Sequence, residues 1–298
     1  MTLEHHLPSP ENPARVVVVG SRGFIGKAVI AYLQAQGIAV CPVSSSDIDL
    51  TEASSGERLE EILRPDDAVI FNSARITEMS RAGEDFAANI LMARHACEAF
   101  KKIPLAQVVY ISTDTVYPFG INPIVESTPA APESLYGAMH LSRELMFRNA
   151  VESPLAILRL NAVYGAEDSH NAYGPNRFLR SALAEGKISL FGEGEETRDH
   201  TFIDDVAAVV GLCLRHRSSG CLNVASGESV SFHDIAGMIA AMFDSPVTVA
   251  NMPRQRPVSH RRYDVSEFVS AFPGFRFVPL AEGLTLLHGQ MTEKESTT

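Results

Sequence analysis

The segment that most constrains the fold of this chain is a glycine-rich stretch at residues 20–26, with the sequence GSRGFIG. It follows four consecutive valines, which predict a buried strand, and it opens a run whose apolar residues recur at helical spacing from Phe24 to near Gly37. In such a stretch the first glycine permits a tight turn, the second lets a pyrophosphate approach the backbone, and the third lets helix and strand pack closely. This order of strand, turn and helix predicts a dinucleotide-binding unit whose helix N-terminus faces the phosphates.

Beyond this unit, short apolar runs alternate with longer amphipathic ones. Strands are predicted at residues 38–43, 68–71, 108–112 and 155–160, and helices at 80–101 and 134–151. This alternation predicts an α/β fold of the Rossmann type, with a doubly wound parallel sheet and right-handed crossovers.

The pattern changes after residue 165, where loops rich in glycine, asparagine and charge precede a region with several prolines. We therefore predict a dinucleotide-binding Rossmann domain formed by residues 14–165 and 201–224. Residues 166–200 and 225–289 are predicted to form a smaller C-terminal α/β domain that binds the substrate. The two ends, residues 1–13 and 290–298, are expected to be flexible tails.

The charge balance narrows the class of partner. The chain has 25 Lys and Arg against 36 Asp and Glu, and the resulting formal net charge of -11 argues against nucleic acid or an anionic membrane surface. A small phosphorylated ligand remains compatible, since it needs only a few local cations. The four cysteines lack metal-type spacing, so they are expected to be reduced and no metal site is predicted. Because neither a secretory signal nor a membrane-spanning run is visible, a cytoplasmic location is expected.

The end of the second strand bears on the choice of dinucleotide. NAD-binding proteins usually carry an acidic residue there that holds the ribose hydroxyls. Here that stretch is Ser44–Ser46, and Asp47 comes a few residues late. These hydroxyls, together with Arg22 in the glycine turn, suit the 2′-phosphate of NADP. If the Arg22 side chain instead points to solvent, it does not favour either cofactor. The sequence favours NADP over NAD as the cofactor.

Polar residues follow the predicted strand at 108–112 and begin the next helix. Thr113 falls at the carboxyl edge of the sheet, where ligands bind in such folds. Tyr136 and His140 lie one helical turn apart on one face of the next helix. A phenol beside a hydroxyl and a nitrogen base can pass a proton to or from a substrate oxygen during hydride transfer. A Tyr–His pair alone is more often a packing feature, so its meaning depends on the rest of the chain.

The ordered motifs of the chain resemble those of the extended short-chain dehydrogenase/reductase family, of the nucleotide-sugar epimerase, dehydratase and reductase type. The similarity runs from about residue 15 to 288 and includes STDTVYP at 112–118, SLYGAMH at 134–140, RLNAVYG at 159–165 and FGEGEETRDHTFIDDVA at 191–207. The resemblance implies that Thr113 bonds the substrate oxygen and that Tyr136 is the acid/base. It also implies a nucleotide-sugar substrate and a homodimer formed through two helices of the sheet domain.

The motifs and the resemblance together define three sets of candidate residues. The catalytic set is Thr113, Tyr136 and His140. The cofactor set is Gly20, Arg22, Gly23, Phe24, Ile25, Gly26, Ser44, Asp49, Tyr136 and His140, in which Asp49 matches the residue that contacts adenine. The substrate set is Asn161, Asn176, Arg198 and Arg256, of which the last three match positions that hold the nucleotide base or diphosphate of the sugar donor.

The chain departs from the family pattern where His140 replaces a lysine whose charge lowers the tyrosine pKa. Three alternatives follow: a protonated histidine, compensation by another cation such as Arg143, or lost catalysis. The pair Asp114-Thr115 stands where dehydratases of this type carry two acids, which disfavours a dehydratase. A second acidic pair, Asp204-Asp205, is interpreted as a helix cap and not as a metal site.

These observations predict NAD(P)-dependent oxidoreduction of a nucleotide-activated sugar, most simply at C4. A 4-ketosugar reductase is slightly favoured over a 4-epimerase, because NADP suits net consumption of reducing power. The alternative is a non-catalytic dinucleotide sensor or scaffold of the same fold.

Overall fold

The computed structural model describes residues 2–76, 82–168, 171, 174–254 and 257–296. Within them the central sheet contains β1 (Glu4–His5), β2 (Val16–Val19), β3 (Val40–Val43), β4 (Ala68–Phe71), β5 (Gln107–Thr113), β6 (Leu155–Leu160) and β10 (Ser218–Val224). The strand order is β1-β10-β6-β5-β4-β2-β3, and every pairing is parallel except that of β1 with β10. From the interior strand β2 the chain moves first to one edge and then, from β4 onward, toward the other, which confirms the predicted doubly wound sheet.

Helices cover both faces of this sheet. On one side lie α1 (Phe24–Ala35) and α6 (Ile203–Arg215), and on the other lie α2 (Ser55–Ile62), α3 (Ala82–Phe100) and α4 (Leu135–Ala150). Because successive side chains of a strand point to opposite faces, Val16 and Val18 join the first core while Val17 and Val19 join the second. This two-sided burial explains why β2 is a continuous apolar run.

Most of the remaining elements form a smaller assembly after residue 160. Its strands are β7 (Ala162–Tyr164), β8 (Lys187–Phe191), β9 (Thr197–Phe202), β11 (Ser229–Ser231) and β12 (Thr248–Met252), and its helices are α5 (Gly174–Glu185), α7 (Phe232–Ala240) and α9 (Leu280–Ser296). The short helix α8 (Ser266–Ala271) instead packs on the first core of the central sheet through Phe268. β9 lies between β11 and β7, whereas β8 pairs with β12. A third core joins α5, α7 and α9 through residues such as Leu179, Ile235 and Leu284. The division of the chain into two domains stays a prediction.

Parts of both predicted tails lie in regular elements that pack on the rest of the protein. Near the N-terminus, β1 covers the edge of β10, and the His5 ring stacks on that of His216 with centroids 4.5 Å apart. At the other end, α9 continues to Ser296 because Leu284, Leu287 and Met291 form one apolar stripe that packs into the third core. Composition alone did not predict either contact, since each depends on a distant partner surface.

The acidic pair at the start of α6 also differs from its prediction. The N-cap residue is Phe202, and no side chain caps the helix there. Instead, the Asp205 carboxylate accepts a hydrogen bond from the Val278 backbone N–H at 2.9 Å, which ties α6 to the segment before α9.

All four cysteines are free thiols. No helix in the described part of the chain is long and apolar enough to cross a membrane. The same residues contain no cluster of three or more side chains suited to a metal ion.

Candidate active site

The glycine turn follows β2 and is anchored to β3 by two hydrogen bonds. The N–H groups of Gly20 and Ser21 donate to the Val43 carbonyl at 2.9 and 3.1 Å. Gly20 has φ +98, and a Cβ there would lie 2.7 Å from the Ser73 nitrogen, so this position requires glycine. A Cβ at Gly26 would lie 2.2 Å from the Gly20 oxygen, so helix and turn also require glycine there.

Gly23 is different, because the fold itself would accept a side chain. The nearest atom to a Cβ at this position would be the Gly20 oxygen at 3.4 Å, an ordinary contact distance. Gly23 is also the N-cap of α1, and no side chain caps the N-terminal N–H groups of that helix. A glycine that packing does not require, beside uncapped N–H groups, fits a cradle for a pyrophosphate. The side chains of Phe24 and Ile25 are half-buried and pack against the third core, and their backbone belongs to the first turn of α1.

A carboxylate lies at the end of β3, although Asp47 follows the strand end by several residues in the sequence. Both the backbone N–H and the hydroxyl of Ser44 donate to Asp47 Oδ2, at 2.9 and 2.6 Å. These bonds lower the pKa of Asp47, and the charge of Arg22 acts in the same direction. Arg22 is exposed, and the next acid, Asp49, accepts bonds from the N–H and hydroxyl of Thr51. Sequence spacing missed Asp47 because the turn at residues 44–47 folds it back onto the strand end.

Thr113 and Tyr136 meet because the first turn of α4 packs directly on the end of β5. The Ser134 hydroxyl caps α4 by accepting the Gly137 N–H at 3.1 Å. A Cβ at Gly137 would lie 2.2 Å from the Thr115 oxygen, so only glycine allows this approach. Tyr136 and Thr113 thereby lie close enough that the Thr113 hydroxyl lowers the pKa of the phenol.

The Tyr136 phenol is held in its protonated form at neutral pH. Burial, together with the nearby charge of Asp114, raises its pKa to about 12 against the opposing effects of Arg143 and Thr113. About 38% of the residue is nevertheless exposed, so part of the side chain borders solvent. Asp114 is fixed by the Tyr263 hydroxyl at 2.5 Å and by Arg261 at 3.5 Å.

His140 lies beneath Tyr136, with ring centroids 4.7 Å apart in an edge-to-face arrangement. It is buried, and burial together with the charge of Arg143 lowers its pKa to about 3. The ring is therefore neutral at physiological pH, which removes the protonated-histidine alternative. Its Nδ1 lies 2.7 Å from the Tyr110 hydroxyl, whereas its Nε2 is buried with no partner among the described residues.

The predicted substrate residues lie apart from Tyr136 along the chain and make contacts of their own. Asn161 donates to Asp199 Oδ1 at 2.7 Å, and its own Oδ1 is buried without a partner in the described structure. The buried amide of Asn176 bonds the backbone of Gly165, and Arg198 donates to Ser259. Arg256 lies outside the described residues. The substrate roles of these four residues stay predictions.

A buried ion pair that the sequence analysis missed holds α4 against the sheet. Arg159 on β6 donates to both carboxylate oxygens of Glu144, at 2.9 and 2.6 Å, and Ser112 donates to the same carboxylate at 2.6 Å. Arg159 also donates to the Tyr117 hydroxyl at 2.8 Å. Glu144 follows Tyr136 by two helical turns, so this pair determines where the phenol sits. The position of Glu144 on the same helix as Tyr136 was visible in the sequence. Its partner Arg159 could be identified only from the fold, which brings β6 against α4.

Together these features provide a proton donor, a second hydroxyl, an unpartnered imidazole nitrogen and a phosphate cradle at one edge of a parallel sheet. The Ser73 segment after β4 connects them, because it touches Gly20 on one side and accepts a bond from Arg143 on the other. Proton transfer coupled to hydride transfer is the chemistry that this set supports.

A model of the NAD dependent epimerase/dehydratase family matches residues 16–225. The dTDP-L-rhamnose 4-epimerase of Burkholderia thailandensis is 38% identical over 151 residues, which are 48% of this chain and 42% of that protein. The UDP-glucose 4-epimerase of Mycolicibacterium smegmatis is 26% identical over 302 residues, which cover 91% of this chain and 96% of that protein. The matched region spans 42% and 57% of the length of the first two curated relatives.

Solved structures of similar fold contain NAD. MoeE5 in complex with UDP-glucose and NAD aligns with a TM-score of 0.79 and 25% identity, over 95% of this chain and 99% of that one. The UDP-glucose 4-epimerase of Thermus thermophilus in complex with NAD aligns with a TM-score of 0.80 and 22% identity, over 93% and 99%. At this identity the second similarity concerns the fold alone.

Proposed function

This chain belongs to the NAD dependent epimerase/dehydratase family, and on that premise we propose that it catalyses NAD-dependent oxidoreduction at C4 of a nucleotide-activated sugar. The observation that carries the proposal is the meeting of Thr113, Tyr136 and His140 at the carboxyl edge of β5. A non-catalytic dinucleotide sensor has no use for a protonated phenol next to a hydroxyl. Asn161, Asn176, Arg198 and Arg256 are proposed to hold the nucleotide diphosphate of the substrate, by amide and guanidinium donors.

The protein's own residues divide the work of such a reaction. The glycine turn and the N-terminus of α1 hold the pyrophosphate of the cofactor, which supplies a hydride acceptor and donor when bound. In the reducing direction Tyr136 gives its phenolic proton to the C4 oxygen as that carbon gains a hydride. In the oxidising direction it takes the proton from the C4 hydroxyl as the carbon loses a hydride. Thr113 donates a hydrogen bond to the same oxygen and fixes its position.

We propose NAD, and not the NADP favoured by the sequence, as the cofactor. Asp47 places a carboxylate at the end of β3, and its bonds from Ser44 occupy a hydroxyl that a 2′-phosphate would need. A carboxylate accepts bonds from ribose hydroxyls and repels a phosphate at the same place.

Affinity measurements test this choice of cofactor. NAD is expected to bind the unmodified protein more tightly than NADP. Asp47→Asn should weaken the binding of NAD about tenfold, because a charge-assisted contact is lost, and should reduce the difference in affinity between NAD and NADP. Asp244→Asn, an exposed change remote from the turn, serves as the control. Tighter binding of NADP by the unmodified protein would contradict the assignment to Asp47.

A 4-epimerase is the first candidate for the detailed activity, because an NAD-type strand end removes the reason to expect net consumption of NADPH. The names of the relatives that align over most of their length support it. A 4-ketosugar reductase is the second candidate, favoured by a phenol that stays protonated and is ready to donate.

Turnover of UDP-glucose and dTDP-glucose with NAD, and of their 4-keto derivatives with NADH, distinguishes the two candidates. An epimerase interconverts C4 isomers without net change in NADH, whereas a reductase consumes NADH with a 4-keto sugar. Tyr136→Phe is expected to lower either activity by roughly 10²–10⁴-fold, as for loss of a general acid/base, while NAD affinity is retained. Unchanged turnover in Tyr136→Phe would defeat the catalytic assignment, and absence of any turnover in the unmodified protein would favour the sensor.

A further inference from the structure

Three buried polar side chains, Arg143, Tyr110 and His140, lie beside one another next to Tyr136. The Arg143 guanidinium is fully buried and donates to the carbonyls of Ser73 and Asn89, at 2.7 and 2.9 Å. Because a guanidinium has donors and no acceptor, Arg143 cannot accept the proton of the Tyr110 hydroxyl.

The proton of the Tyr110 hydroxyl then has one destination. Tyr110 is buried in β5, and its hydroxyl lies 2.7 Å from His140 Nδ1, the acceptor found for it within the described residues. A buried hydroxyl needs an acceptor for its proton, so Nδ1 accepts and carries no hydrogen. In a neutral imidazole the ring proton then resides on Nε2.

The Nε2–H group of His140 is then a hydrogen-bond donor without an acceptor among the described residues. Nε2 of His140 is buried and has no partner in the described part of the chain. Tyr110 and Arg143 face the ring from β5 and from α4, and Tyr136 contacts it from the preceding turn of the same helix. These neighbours include no carboxylate in contact with the ring that would stabilise a positive charge there, so the imidazole acts as a neutral donor.

We propose that Tyr110 and His140 form a hydrogen-bond relay that fixes His140 as the neutral Nε2–H tautomer and presents this N–H to a ribose hydroxyl of the cofactor. Tyr110 is a positioning residue, since it acts through His140. Fixed positive charge and the hydrogen-bond donor thus reside on different side chains, Arg143 and His140. The contact with ribose rests on the proposed function, whereas the tautomer is a property of the protein alone.

Nitrogen NMR of the ¹⁵N-histidine-labelled full-length protein without cofactor tests the tautomer directly. The protonated and unprotonated ring nitrogens have well-separated shifts, and His140→Gln identifies which signals belong to His140. We expect one neutral Nε2–H tautomer from pH 5 to pH 8. In Tyr110→Phe, which keeps the ring that packs on Phe71 and Phe147, we expect both tautomers to be populated. An Nδ1–H tautomer or an imidazolium at pH 7 in the unmodified protein would overturn the relay, as would an unchanged tautomer in Tyr110→Phe.

Calorimetric titration with NAD tests the contact with ribose. Loss of one oriented hydrogen bond should weaken NAD about fivefold to tenfold in Tyr110→Phe. The matched control is Tyr164→Phe, because the Tyr164 hydroxyl is equally buried and has no partner among the described residues. The ribose contact is overturned if Tyr110→Phe changes the tautomer of His140 but leaves the affinity for NAD the same. It is also overturned if Tyr164→Phe weakens the binding of NAD as much as Tyr110→Phe does.

The two proposals fail in distinguishable ways. If the unmodified protein contains the Nε2–H tautomer but binds no NAD, the proposed function and the ribose contact are wrong, and the tautomer assignment stands. If it binds NAD and turns over a nucleotide sugar but contains the other tautomer, the relay is wrong and the proposed function stands.

The charge of Arg143 has a kinetic test in the folded Arg143→Met variant. Loss of this charge should shift the oxidative limb of the pH–rate profile to higher pH, because Arg143 lowers the pKa of Tyr136. An unmoved limb would count against the role of that charge.

Discussion

The three glycines of the turn look equivalent in sequence, yet the space around them differs. A side chain at Gly20 would meet the backbone of Ser73, and one at Gly26 would meet the Gly20 carbonyl. Gly23 lacks such a neighbour at short distance. Two of the glycines therefore serve the fold, whereas the third leaves space for a ligand.

Gly23→Val separates binding from folding. The variant is expected to unfold within a few degrees of the unmodified protein, because the nearest atom to the new Cβ lies at 3.4 Å. NAD affinity should fall more than tenfold, since the side chain fills the approach to the N–H groups of α1. Gly26→Ala is the contrasting variant and should destabilise the fold, because its Cβ would lie 2.2 Å from the Gly20 oxygen. Thermal melts and calorimetric titration measure both effects; retained NAD affinity in a folded Gly23→Val protein would refute the phosphate cradle.

At the scale of elements, α4 carries most of the site and is fixed at two levels. Its first turn lies on β5 through Gly137, and its middle is held to β6 by the buried pair of Glu144 and Arg159. The start of α6 is held differently, through Asp205 and the Val278 N–H. Because that carboxylate is buried, its ionisation opposes folding.

The stability of the protein should depend on pH through Asp205. Burial raises the pKa of this carboxyl to about 6 from 3.8, so the native state binds the proton more tightly than the unfolded chain. The resulting stabilisation is present at low pH and is lost as pH rises through about 6. Asp205→Asn keeps an acceptor for Val278 and removes the charge. Relative to the unmodified protein, its free energy of unfolding should rise by about 1 kcal/mol between pH 5 and pH 7. Urea denaturation at several pH values measures this difference, and parallel curves for the two proteins would exclude the effect.

For the whole molecule, the outer surface of α3 and α4 is the region that we expect to form a dimer interface. Leu91 on α3 and Leu145 on α4 are 39% and 57% exposed, although both helices otherwise pack tightly on the sheet and on each other. Exposed leucines on neighbouring helices suit the homodimer expected from the sequence, because burial of apolar surface stabilises association.

Leu145→Glu tests that assembly. If α3 and α4 form the dimer interface, the variant should sediment as a monomer at concentrations where the unmodified protein is dimeric, because a buried charge without a partner disfavours association. Leu286→Glu, on the exposed side of α9, is the matched control and should leave the dimer intact. Sedimentation velocity measures both variants. A dimer that survives Leu145→Glu would place the interface elsewhere.

Local patterns were enough to predict the elements that build the site. The four valines, the glycine turn and the helix from Phe24 lie within twenty residues of one another, and their periodicity reports burial directly. Thr113 and Tyr136 could be found in the same way, because each sits at the end of a predictable element. The doubly wound parallel sheet was predicted from the alternation of strands and helices and from the right-handed preference of crossovers.

Only the tertiary structure decided the chemistry of those residues. The neutral state of His140 depends on burial and on Arg143, while its free nitrogen depends on Tyr110, 30 residues away in the chain. Asp47 reaches the end of β3 through a turn that spacing does not reveal, and the ends of the chain are ordered by surfaces formed elsewhere. Strand and helix periodicities are local properties of a chain, so they can be recognised in the sequence. The pKa of a side chain and its hydrogen-bond partners depend instead on burial and on neighbouring groups, which come together only when the chain folds.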